Sequence, residues 1–115
     1  MTKFEKFASN ELFTCALEVL KRLKKDGLDF GTPYKKNSFE YLSDKMIELN
    51  GDEYGISFSI DCFDDTCTLA YNIVHYVGKL SPFDGGFVDF GKEGMNSKTY
   101  NAIENDIIYI LSRIK

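Results

Sequence analysis

The sequence predicts an α+β domain: a long N-terminal helix, an antiparallel β-meander of three to four strands, and a C-terminal helix packed on the sheet. Apolar residues near both ends recur every three or four positions, which is helical spacing. In the middle they alternate with polar residues at period two, and glycine and proline punctuate the joins. A chain of 115 residues can bury one core but not two, so 1–115 is read as a single domain.

The first helix follows from Phe4, Phe7, Ala8, Leu12, Cys15, Ala16, Val19, Leu20 and Leu23, which make one side apolar. Thr2 with Glu5 forms a capping box, and Lys24, Lys25 and Gly27 form a C-terminal signal. A start near Asn10, preceded by a separate short helix, is the alternative. Residues 29–38 read as a loop, with Gly31, Pro33 and the pair Lys35-Lys36. Residues 39–49 are ambiguous. Phe39, Leu42, Met46 and Leu49 suit a helix, whereas Lys45 to Leu49 followed by Asn50-Gly51 suits a strand entering a hairpin, and the strand is preferred. A four-residue loop, Asn50 to Glu53, sets Leu49 opposite Tyr54 and Ile47 opposite Ile56, and avoids placing Glu48 against Glu53.

The clearest strand carries Ile56, Phe58, Ile60 and Cys62 on one side and Ser57, Ser59 and Asp61 on the other. Its partner shows Cys67, Leu69, Tyr71, Ile73, His75 and Val77 alternating with Thr68, Ala70, Asn72, Val74 and Tyr76. A two-residue loop, Asp64-Asp65, pairs Cys62 with Cys67, Ile60 with Leu69, Phe58 with Tyr71 and Ile56 with Ile73, all on the apolar face. From Gly78 to Asn96 the chain reads as irregular around a short strand-like Phe87-Val88-Asp89-Phe90. The last helix, capped by Asn96 or Ser97, buries Tyr100, Ile103, Ile107, Ile110, Leu111 and Ile114.

Charge is unevenly spread. Residues 51–106 hold ten carboxylates against three lysines, a net of −7 within a chain of −4. Such a field repels phosphate backbones and anionic membranes, so neither nucleic acid nor a membrane is expected as a partner. The basic residues Lys21, Arg22, Lys24, Lys25, Lys35 and Lys36 cluster near the end of the first helix, where they complement its dipole. The N-terminal residues are charged and no segment approaches about 20 apolar residues, so a cytoplasmic location is expected. Three cysteines, an odd number, agree with reduced thiols. Cys62 and Cys67 come within disulfide range, since a non-hydrogen-bonded pair places Cα atoms about 4.5 Å apart. Buried free thiols are nevertheless the expectation, because cytosolic disulfides are uncommon.

No catalytic kit is legible. His75 is the single histidine, and along one strand it stands roughly 26 Å from Cys67. Two cysteines five positions apart lack the usual zinc-ligand spacing, and the glycines of 78–94 match neither phosphate-loop pattern. No cofactor, metal or catalytic residue is expected.

The leading expectation is a small acidic protein-binding inhibitor that masks a basic surface, such as that of a toxin or nuclease domain. The partner-binding residues would be Asp61, Asp64, Asp65, Tyr76, Asp84, Asp89 and Glu93, with tyrosines as anchors. Glu104 and Asp106 belong to the last helix, where a solvated face is the usual fate of charge. In size, acidity and lack of motifs the chain resembles bacterial immunity proteins that neutralise nuclease toxins, a likeness of gross character with no shared residue pattern. Two alternatives stand beside it: a hydrolase or transferase with a site near His75, and a structural or regulatory subunit that dimerises through an uncovered sheet edge.

Overall fold

The computed structural model describes residues 3–28, 30, 40–43, 46–50, 54–75 and 84–114. Helix α1 (Lys3–Lys25) is followed by strands β1 (Glu40–Ser43), β2 (Met46–Asn50), β3 (Tyr54–Phe63), β4 (Thr66–His75) and β5 (Asp84–Phe90), then helix α2 (Ser97–Ile114). The strands form one antiparallel sheet in sequence order, β1-β2-β3-β4-β5. The α+β meander between two helices is as expected, with one strand more than the three to four anticipated. Segment 39–49 supplies two strands instead of one. Strands of four and five residues are too short for period two to stand out from helical spacing.

Residues 3–25 form one helix, which excludes the break near Asn10; Thr2, the proposed cap, lies outside the described residues. The C-terminal signal acts as expected. Gly27 adopts a left-handed backbone (φ 88°), and its N–H donates to Lys24 O at 3.1 Å while Leu28 N–H donates to Leu23 O at 2.8 Å. Those two bonds satisfy carbonyls that the helix end would orphan, and residue 27 reaches this conformation cheaply because it lacks Cβ. At the start of α2, Asn96 Oδ1 accepts from the backbone N–H groups of Lys98 (3.1 Å) and Thr99 (3.2 Å), so Asn96 rather than Ser97 is the cap.

The β3–β4 register is the one expected, from Cys62↔Cys67 through Ile60↔Leu69 and Phe58↔Tyr71 to Ile56↔Ile73. Asp64 turns the hairpin with φ 56°, a conformation that aspartate tolerates better than most side chains. The β2–β3 register differs from expectation. Leu49 pairs with Ile56 and Ile47 with Phe58, two positions from the predicted partners. A slip of two keeps every side chain on its face, so apolar patterning cannot detect it.

Both helices cover the same face of the sheet. The buried side of α1, with Leu12, Val19 and Leu23, and that of α2, with Ile103 and Ile107, enclose Ile47, Leu49, Ile56, Phe58, Leu69 and Ile73 in one apolar core. Where the helices meet, Arg22 lies between Glu18 (3.3 Å) and Glu104 (3.8 Å), donates to Asn101 Oδ1, and stands 5.9 Å from the Tyr100 ring centroid. Glu104 is thus part of a helix joint, not of a solvated face. Asp106 also departs from that expectation, since it accepts a hydrogen bond from Tyr71 Oη at 2.6 Å.

That bond explains Gly86, one of the β5 glycines that read from sequence as turn residues. Gly86 is the register partner of Tyr71, and a Cβ there would stand 2.6 Å from Tyr71 Oη. The missing side chain is what lets the phenol reach α2 across β5. The strand therefore begins at Asp84, earlier than the expected Phe87.

Candidate functional site

With the helices on one face, strand alternation turns Ser57, Ser59, Asp61 and Phe63 of β3 to the other. The same parity and register bring Thr66, Thr68, Ala70, Asn72 and Val74 of β4 and Phe87 and Asp89 of β5 to this open face. No described helix covers it.

Register then builds a row across three strands. Asp61 pairs with Thr68, and Thr68 with Asp89. Thr68 Oγ1 donates to Asp89 Oδ1 at 2.6 Å, so one carboxylate of the row is oriented from within the sheet. Asp61 and Asp89 are both exposed. Asp64 and Asp65 occupy the exposed hairpin tip beyond, where Asp65 Oδ2 stands 4.0 Å from Lys92 Nζ. Exposed on both sides and at that separation, this ion pair contributes little to stability.

Glu93 sits in the turn after β5. Hydrogen bonds from its own backbone N–H and from that of Gly91, the latter 3.2 Å from Oε1, hold its carboxyl below the ordinary range. Asp84 pairs with Ile73 at the opposite end of β5 from Asp89, and its side chain lies outside the described residues. Tyr76 lies outside them altogether. The fold therefore assembles Asp61, Asp64, Asp65 and Asp89 toward one end of the sheet, with Glu93 in the adjoining turn, and sets Asp84 apart.

Two residues absent from the expected site are its largest apolar features. Phe63 is 81% exposed and Phe87 67% exposed, and both belong to the open face by parity. The signal for Phe63 lay in the sequence: once Cys62 points inward, its neighbour points outward. For Phe87, alternation in the strand-like 87–90 gave only that it shares a side with Asp89; which side that was came from the β4–β5 register.

The sulfur chemistry differs from expectation. Cys62 and Cys67 are joined in a disulfide with Cα atoms 4.2 Å apart, instead of remaining free thiols. The non-hydrogen-bonded pairing position provides the short Cα approach that the bond requires. Cys15 remains free and is buried against the core; burial first, and the Glu11 carboxylate second, push its thiol up to about 12. A thiol held protonated at neutral pH is a poor nucleophile. His75 closes β4 opposite Tyr54, at the far end of the strand from Cys67. Among the described residues, no group of three His, Cys, Asp or Glu side chains is placed to hold a metal ion, and no helix is long and apolar enough to cross a membrane.

Compared with protein-family models, with curated protein sequences and with solved structures, the chain matches none.

Proposed function

We propose that this chain is a small acidic inhibitor that binds another protein and masks a basic surface on it, with a nuclease-type toxin domain as the partner. The observation that carries the reading is the open face. It presents Asp61 and Asp89 on a rigid sheet, two exposed phenylalanines, and no Lys or Arg among its described side chains. Such a face complements the positive surface that a nuclease uses to hold nucleic acid, and its field speeds encounter with that surface. The net −7 of residues 51–106 acts in the same sense.

The test is neutralisation. The reading expects a nuclease domain to be encoded immediately upstream; that domain is purified and its DNA or RNA cleavage titrated with this protein. The reading expects stoichiometric inhibition, an association rate that falls with added salt, and weaker binding when Asp61, Asp64 and Asp65 become asparagine. Full cleavage at excess protein would falsify it. A cytoplasmic location is part of the same proposal, and the disulfide gives it a check. Acid-quenching intact cells and alkylating thiols after denaturation, so that buried Cys15 is counted, finds three free cysteines in a reducing compartment and one in an oxidising compartment.

A further inference from the structure

We propose that the open face receives an arginine-bearing segment of the partner, its guanidinium seated over Thr68 between Asp61 and Asp89, with Phe63 and Phe87 as apolar anchors on either side. This rests on the inhibitor reading and narrows it to a partner chemistry.

The geometry of the row sets the first condition. Asp61, Thr68 and Asp89 are successive register partners, so the two aspartate Cα atoms stand about 10 Å apart, with the smaller threonine between them. A cation above Thr68 is within reach of both carboxylates. Asp89 is already held by Thr68 Oγ1, so less side-chain freedom is lost when it receives a donor.

The phenylalanines set the second. Phe63 follows Asp61 by two positions on β3, and Phe87 precedes Asp89 by two on β5, so the rings flank the row diagonally. Four residue steps along and two strands across put them about 16 Å apart, a span that five residues of extended partner chain cover. Both rings lie on the side of the sheet away from the core, where folding takes little of their surface out of water; covering them with a partner does. Phenyl faces also attract cations, and arginine both stacks on them and forks onto a carboxylate in ways lysine does not.

Charge decides against a second copy as the occupant. The charged side chains described on this face, Glu48, Asp61 and Asp89, are all acidic, so two copies face to face would oppose carboxylate to carboxylate in a dewatered interface.

The test titrates the isotope-labelled full chain, disulfide intact, with blocked hexa-arginine, hexa-lysine and hexaglutamate peptides and follows backbone amide shifts. Hexa-arginine is expected to shift the amides of Asp61, Phe63, Thr68, Phe87 and Asp89 saturably and more tightly than hexa-lysine, and hexaglutamate to shift none. Changing both phenylalanines to serine should weaken hexa-arginine about tenfold with the thermal midpoint unmoved, since both rings are exposed; Asp89→Asn should weaken it as well. Unchanged affinity in the serine pair, or shifts that track carboxylates over the whole surface including Glu93 and Glu104, overturns the proposal. So does sedimentation showing that a second copy covers the face. If the peptide misses this face while the nuclease domain is still inhibited, the present inference fails and the inhibitor reading stands; if the nuclease is not inhibited either, both fail.

Discussion

Replacing Gly86 with alanine asks why a strand keeps glycine in its interior. The added carbon would stand 2.6 Å from Tyr71 Oη and 2.9 Å from both Tyr71 Cζ and Asp106 Oδ2, closer than carbon tolerates. The far end of the Tyr71 ring has to give way, and with it the 2.6 Å bond to Asp106. Overpacking of this kind costs about 1–3 kcal/mol. Loss of a hydrogen bond to a charged acceptor costs about 1.5–3 kcal/mol in full, less here because half-exposed Asp106 regains water. Alanine in place of a strand glycine returns about 0.5–1 kcal/mol. The net expectation is a loss of about 2 kcal/mol for Gly86→Ala.

Tyr71→Phe by itself removes only the bond and should cost about 1 kcal/mol. It also removes Oη, the nearest obstacle to the alanine. The double variant should therefore lose about 2 kcal/mol where additivity requires about 3, a coupling of about 1 kcal/mol. Urea unfolding at neutral pH, with the disulfide kept oxidised and midpoints compared at equal slope, measures all three. Losses that add within about 0.3 kcal/mol would mean that the passage of Tyr71 is not why residue 86 is glycine.

Three further outcomes follow from the same structure. Reducing the disulfide opens a link between cysteines five positions apart, a loop for which the chain-entropy model gives about 2 kcal/mol; a urea midpoint indifferent to reductant refutes this. Gly27→Ala should cost about 1 kcal/mol through backbone strain alone, because φ is 88° and nothing lies within 4 Å of the new carbon; Gly27→Asn should cost less, and equal losses would remove the backbone explanation. Burial first, and the Asp106 carboxylate second, raise the Tyr71 hydroxyl well above its ordinary 10.0. The folded state thus favours the neutral phenol, so this contribution is complete below pH 10.0 and is lost as pH rises beyond it. The alkaline decline in thermal midpoint should be shallower in Tyr71→Phe, and an identical decline would count against the assignment.

Much of the fold was legible because the features that specify it are local. Period two in 56–62 and 67–75, together with two aspartates between them, determined the β3–β4 register, and that register placed Asp61, Asp64 and Asp65 correctly at an exposed end. Helical spacing marked both helices, Gly27 the end of α1, and Asn96 or Ser97 the start of α2. Such signals report which side of an element avoids water and where the backbone reverses, and neighbouring residues suffice for both.

Only tertiary structure decided the rest, because it depends on partners distant in sequence. A slip of two positions in β2–β3 preserves the apolar pattern, so pattern alone did not choose between registers. Gly86 looked like a turn residue until Tyr71 from one element and Asp106 from another met above it. Facing cysteines admit either a bond or two thiols, and composition favoured the state the fold does not have. The choice of site turned on one such fact. The sequence established that a carboxylate-rich sheet has two faces; that both helices settle on the same one, leaving Asp61, Asp89, Phe63 and Phe87 uncovered, is a consequence of how the two helices pack together with the sheet in one core.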